Sequence, residues 1–253
     1  MFSQEPRCQY ENNQLAEVIC QLRFPEILTI NANPPVDFQE HIRSEFPQYA
    51  VRAEAPAPGP NPNRQPIQNY QFATADNAWR INLTSRFISL SCNRYTNWET
   101  FAKKLDKPLA AFIKVYSPAY FERIGLRYLN FFSRKELSLE GVPFRDLFQD
   151  CYLGLLGDEE LHETTASRSS VDAELAIRGG CRVKLHAGPG LVKRGNVEDK
   201  EVKFIFDQDL FMNGNVPVNY AAASLETLHG KAFSIFRGAI TDTLHDAMEP
   251  KSL

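Results

Sequence analysis

No run of about 18 apolar residues occurs anywhere in the chain. Its first residues, Met-Phe-Ser-Gln-Glu-Pro-Arg-Cys, lack the apolar core of a signal peptide. A cytoplasmic protein with no membrane partner is therefore expected. Cysteine is sparse: Cys8, Cys20, Cys92, Cys151 and Cys181 are odd in number and widely spread, with no C-x-x-C pair and no His at zinc-finger spacing. No metal site is expected, and the thiols are expected to be reduced and mostly buried. The G-x-S-x-G, H-E-x-x-H, P-loop and paired-carboxylate signatures are also missing, so an enzyme reading has no named nucleophile and no cofactor is implied. Strong basicity is absent too. With 28 Lys and Arg against 31 Asp and Glu the net charge is -3. That removes the simplest argument for nucleic-acid binding and leaves only a local basic face to support one.

Hydrophobic residues (43%) and charged residues (23%) are in the proportions of a soluble globular protein, and 253 residues suffice for one large domain or two small ones. The clearest strand is central: Phe121-Glu-Arg-Ile-Gly-Leu-Arg-Tyr-Leu-Asn-Phe-Phe132. Before it, alternation predicts a strand over 15–24, and Phe38, Ile42 and Phe46 predict a short helix ended by Pro47. Prolines at 56, 58, 60, 62 and 66 make 53–66 a Pro-rich loop, read as a spacer or a ligand for an aromatic groove. Short strands follow at 70–74, 78–84 and 87–92. Thr96-Asn-Trp-Glu99 has the form of a capping box and opens a helix that Pro108 should kink and Pro118 follows.

After the central strand the same series recurs. A helix is predicted over 144–156 and strands over 170–177, 181–186 and 201–206, with Gly179-Gly180 as a turn. A long helix over about 220–248 closes the chain. The helix openings Trp98-Glu-Thr-Phe101 and Leu225-Glu-Thr-Leu228 also match. The expected fold is α+β: a tandem duplication of a β-α-β-β-β-α unit, halves 1–118 and 119–253, forming a curved, mainly antiparallel sheet with helices packed on one face. This element order resembles saddle-shaped duplicated folds such as the TATA-box-binding-protein fold, and more loosely the duplicated effector-binding domains of bacterial regulators. Such folds serve many functions.

On this scheme the polar strand face carries Arg23, Arg80, Asn82, Arg123, Arg127, Arg182, Lys184 and His186, with Lys203 alongside. Guanidinium forks suit phosphate or carboxylate, so these residues are the candidate ligand-binding set. Glu17, Asp172, Glu174 and Asp207 share the face, and a solvated, ion-paired surface is the alternative. Gly125, between Arg123 and Arg127, either leaves room for a partner or lets a neighbouring element pack closely. The stretch from His186 to Gly195 is a flexible hairpin loop before it is a phosphate cradle, because no helix follows it. His229 and His245 lie about 160° apart on the last helix and read as isolated surface or capping histidines. Gly230, Ser234 and Gly238, four apart, allow close approach within the chain or to a second subunit, so a homo-oligomer through them is a further expectation.

Leu15-Ala-Glu-Val, Arg123-Ile-Gly-Leu-Arg-Tyr-Leu-Asn130 and Leu244-His-Asp-Ala-Met248 resemble a sporadically distributed family of uncharacterised prokaryotic proteins. The likeness spans nearly the whole chain, and the central strand is its most specific piece. What the resemblance implies is a defence or toxin-antitoxin association, with no catalytic residue to carry over. The expected function is a non-enzymatic binding or regulatory protein, holding an anionic ligand, nucleic acid or protein partner on the Arg-bearing face. An enzyme acting on nucleotides or nucleic acid, with Arg123 and Arg127 stabilising charge and His186 donating a proton, is the alternative. A purely structural subunit is the third.

Overall fold

A computed structural model describes residues 2–54, 66–194 and 197–252. The fold is α+β, with eleven strands in antiparallel sheets and six α-helices among the described residues. In chain order the elements are β1 (Cys8–Tyr10), β2 (Leu15–Arg23), α1 (Leu28–Ala32), α2 (Val36–Ile42), β3 (Gln48–Glu54), β4 (Ile67–Ala73), β5 (Trp79–Leu83), β6 (Phe87–Cys92), α3 (Trp98–Tyr116) and β7 (Phe121–Phe132). There follow α4 (Asp150–Leu153), β8 (Val171–Ile177), β9 (Cys181–Arg194), β10 (Val197–Val216), α5 (Ala221–Arg237), α6 (Asp242–Ala247) and β11 (Pro250–Ser252). β1 pairs with β11, and the other nine strands form one sheet in the order β3-β4-β5-β6-β2-β7-β10-β9-β8. No helix among the described residues is long and apolar enough to cross a membrane.

The chain forms two compact units that are not contiguous stretches of sequence, whereas the sequence reading divides it at 118 and 119. The first unit holds 1–17, 127–211 and 226–253; the second holds 18–126 and 212–225. In the second unit, Val18, Cys20 and Leu22 of β2 and Ile81 and Leu83 of β5 are buried on the face their alternation marks. Phe112 of α3 lies 4.6 Å from Phe24, and Phe38 of α2 lies 5.6 Å from Phe72 of β4, centroid to centroid. Burial pushes the Cys20 thiol up to about 12, which makes it an inert core residue. Cys92 and Cys181 are buried too, while Cys8 is half-buried and Cys151 exposed.

In the first unit the core is aromatic. Phe148 stacks on Phe204 at 3.8 Å, Phe132 meets Phe148 edge-on at 5.1 Å, and Phe236 of α5 stacks on Phe132 at 6.1 Å.

Several boundaries differ from expectation. The capping residue of α3 is Asn97, whose side chain accepts the Thr100 N–H at 2.8 Å, in place of Thr96, and the helix continues through a buried Pro108. The helix expected over 144–156 is divided into a 3-10 turn at Phe144–Asp146, α4, and a second 3-10 turn at Gly154–Gly157, with Gly154 in the left-handed region at φ 57. The last helix breaks between Arg237 and Asp242. There Ile240 bridges to Phe148 and Thr241 caps α6 through Leu244 N–H. Its apolar stripe runs on across the break because Ala239, Ile240 and Leu244 are all buried. β9 and β10 extend well beyond the expected 181–186 and 201–206, and β3 has no counterpart in the sequence reading. Of the Pro-rich loop, Ala53 and Glu54 belong to β3; residues 55–65 lie outside the described residues.

Candidate functional site

The site is built on a hairpin. Gly179 and Gly180 turn the chain at φ 84 and 70, backbone conformations that side chains disfavour. The turn fixes a register in which Asp172 faces His186, Glu174 faces Lys184 and Ala176 faces Arg182. Side chains alternate along a strand, so these acids of β8 and bases of β9 share one face. His186 Nδ1 lies 2.7 Å from Asp172 Oδ1, and Ser170 Oγ donates to Asp172 Oδ2 at 3.0 Å. Arg182 donates from Nε and Nη2 to Glu174 Oε1 at 3.2 and 2.9 Å, with Lys184 Nζ 3.7 Å from Oε2. The hydrogen bond from His186, helped by Ser170, holds the Asp172 carboxyl below its ordinary value. The Arg182 guanidinium does the same for Glu174.

A second pair joins them. Arg127 of β7 donates from Nε to Asp207 Oδ1 at 2.7 Å and from Nη2 to Oδ2 at 2.5 Å, a bidentate fork. This bond, with the nearby charges of Asp207, Asp209 and Glu17, raises the guanidinium above its ordinary value against the opposing effect of burial. Between these pairs lies an open hollow of about 520 Å³ lined by Arg127, Asp172, Ala173, Glu174, Lys184, Leu185, His186, Asp207 and Asp209. Two cations and His186 thus face four carboxylates.

Of the eight residues singled out from the sequence, Arg127, Lys184 and His186 come together on this hollow, and Arg182 bonds to Glu174 on its wall. Arg23, Arg80, Asn82 and Arg123 belong to the other compact unit. There Asn82 accepts from Gln71 at 3.0 Å and donates to Ser89 at 3.4 Å, while Arg23 and Arg80 are exposed. The room beside Gly125 is filled by its own strand: a Cβ there would lie 2.1 Å from Arg123 Nη1. The expected opening for a partner or neighbouring element is therefore taken by the Arg123 guanidinium. Lys203 is only 5% exposed and pairs with Asp199 at 2.9 Å.

Asp209 is absent from the sequence-derived face because the expected strand ends at Phe206. Its signal was present, since Lys203, Ile205, Asp207 and Asp209 alternate with the buried Phe204, Phe206, Gln208 and Leu210.

The described part of 186–195 is strand, and Gly188 serves close approach, since a Cβ there would lie 2.6 Å from the Ser169 carbonyl oxygen. His229 is buried, not a surface residue, with Nδ1 2.7 Å from the Tyr128 hydroxyl, and His245 Nδ1 lies 2.8 Å from the Tyr10 hydroxyl. Ser234 is covered from within the chain: its hydroxyl donates to the Ser3 carbonyl at 2.6 Å, and Ser3 N–H donates to its carbonyl at 2.9 Å. A Cβ at Gly230 meets nothing within 4 Å. Among the described residues no group of three or more His, Cys, Asp or Glu could hold a metal ion.

No protein-family model and no curated protein matches this chain. The function therefore has to be argued from the hollow itself.

Proposed function

We propose that this is a non-enzymatic binding or regulatory protein whose partner docks on the charged hollow of β7, β8, β9 and β10. The observation that carries the reading is the convergence of Arg127, Lys184 and His186 with four carboxylates on one open concavity. Each sign is available to a partner: Lys184 is 59% exposed and Asp172 68% exposed in their side chains. Four carboxylates against two cations set the local field against a polyanion. Within the classes expected from the sequence they favour a protein surface bearing both signs. Such contacts add specificity and association rate more than affinity, and they weaken with salt. The defence or toxin-antitoxin setting implied by the family resemblance stays part of this proposal.

Native mass spectrometry of the protein purified from its own cells tests it. A retained protein partner, lost at high salt and in Lys184→Glu but kept in Arg94→Glu, is the expected result. Arg94 is 69% exposed in the other compact unit. A partner indifferent to Lys184→Glu would contradict the reading.

A second reading rests on the His186–Asp172 hydrogen bond, which orients an imidazole on the hollow as an acid-base group would need. An enzyme acting on nucleotides or nucleic acid would then lose turnover in His186→Gln. No nucleotide turnover by the unaltered protein would remove this reading.

We also propose that the chain is a tandem duplication with its helices on one sheet face. Counting outward from neighbours β2 and β7, the strands follow as β6, β5, β4 on one side and β10, β9, β8 on the other, which supports it. Residues 1–118 and 119–253 made as separate chains should reassemble one to one, and failure to do so counts against it.

A further inference from the structure

We infer that the outer edge of β8 accepts an extended segment of the partner protein as an added strand, and that this segment alternates basic with apolar residues. The inference rests on the reading that the partner docks on this charged face. β8 ends the nine-strand order, with β9 its one hydrogen-bonded neighbour in that sheet. A strand in this position presents a row of backbone N–H and C=O groups that can pair with a further strand. Asp172, Glu174, Leu175 and Ala176 are exposed, so both of its faces reach solvent, and the Gly154 segment packs near Val171 at one end.

The side chains state what kind of strand would fit. On one face β8 shows Asp172 and Glu174; on the other it shows Ala173, Leu175 and Ile177. Directly opposed residues on neighbouring strands interact, with opposite charges favourable and like charges unfavourable. A segment with Lys or Arg opposite the acids and β-branched or aliphatic residues opposite Leu175 satisfies both faces. The protein supplies an example of that pattern. β9 carries Arg182, Val183, Lys184, Leu185 and His186, and β8 already pairs with it on its inner side.

The acids retain capacity despite those pairs, because a carboxylate offers about four lone-pair sites. Asp207 and Asp209 on the hollow add negative charge nearby. A second copy of this chain is disfavoured at the same edge. Antiparallel pairing of β8 with β8 in matching faces sets Asp172 and Glu174 against their own kind.

The test uses the full chain and two acetylated, amidated peptides about seven residues long, one alternating Lys with Val and one alternating Glu with Val. Binding is read by fluorescence anisotropy, and amide hydrogen exchange is followed along Val171–Ile177. The Lys–Val peptide is expected to bind, to slow exchange in β8 tenfold or more, and to lose at least tenfold in affinity against Glu174→Lys. Asp172→Asn serves as a second variant in case Glu174→Lys disturbs the hairpin. The Glu–Val peptide, and a Lys–Val peptide N-methylated at alternate amides, are expected not to bind. Equal binding of the Lys–Val and Glu–Val peptides, no binding by either, or binding without slowed exchange in β8 would each overturn the inference.

The two proposals can fail separately. Lys–Val binding without slowed exchange in β8, beside a natural partner that is lost in Lys184→Glu, would leave the hollow and remove the edge. Slowed exchange in β8 beside a natural partner indifferent to Lys184→Glu would keep the edge and remove the hollow.

Discussion

Two glycines show how the same residue type takes opposite consequences from its neighbours. At Gly125 an added Cβ meets the far end of a flexible Arg123 side chain, whereas at Gly188 it meets the Ser169 carbonyl oxygen and the Ser170 backbone. Backbone cannot move aside cheaply. Gly188→Ala is therefore expected to lower stability by about 1–3 kcal/mol, the usual cost of overpacking. Gly125→Ala should fall within about 1 kcal/mol of the parent, because displacing Arg123 offsets the entropy gained on replacing glycine. Urea unfolding of both variants checks this, and a larger loss at Gly125 than at Gly188 would contradict it. The sequence marked Gly125 as special but could not say what filled the space. That depends on which rotamer Arg123 adopts, and spacing along a strand does not encode it. The buried state of His229 was equally illegible, since its Tyr128 partner is 101 residues away.

At the scale of elements, the β8–β9 hairpin is held on its polar face by ion pairs whose acids are depressed below their ordinary values of 3.8 and 4.5. A carboxyl with a folded-state value below its unfolded one contributes stability that is present in full above the unfolded value and is lost as pH falls through the folded one. Amide exchange along β8 and β9 should thus accelerate as pH drops below about 4.5, beyond the intrinsic rate change. Exchange that follows the intrinsic rate alone through this window would contradict the assignment.

Arg237 makes a second element-level prediction. Its side chain is 9% exposed at the α5–α6 break, and it donates to Glu5 at 2.6 Å and Asp242 at 2.7 Å. Arg237→Ala should cost about 1.5–3 kcal/mol, the range for hydrogen bonds to charged groups, and should loosen the N-terminal segment. Thermal unfolding with limited proteolysis near Glu5 measures both effects.

Strand alternation made β2, β5, β7 and the hairpin of β8 and β9 readable, because period two reports a half-buried face directly. The break after Arg237 was hidden because the apolar stripe does not stop there. β3 was hidden because residues 48–53 are all exposed and the sequence runs on into Pro56.

For the whole molecule, a net charge of -3 conceals a local arrangement in which both signs are concentrated on one face of the first compact unit. The candidate residues were legible as a set, since seven of the eight are charged or titratable and all occupy strands. Their counter-charges decided the reading. Asp172, Glu174 and Asp207 bond to the very bases that suggested an anion site, and that shifts the expected partner from a polyanion to a protein surface.

The central claim, that this hollow is where a partner docks, is tested most directly by placing a photo-crosslinking residue at position 176, exposed on the charged face of β8, and, separately, at position 94, and irradiating in the native cells. The account predicts one discrete protein adduct from position 176, lost when Arg127→Glu is added, and none from position 94. The same adducts from both positions, or an adduct at 176 that survives Arg127→Glu, would contradict it.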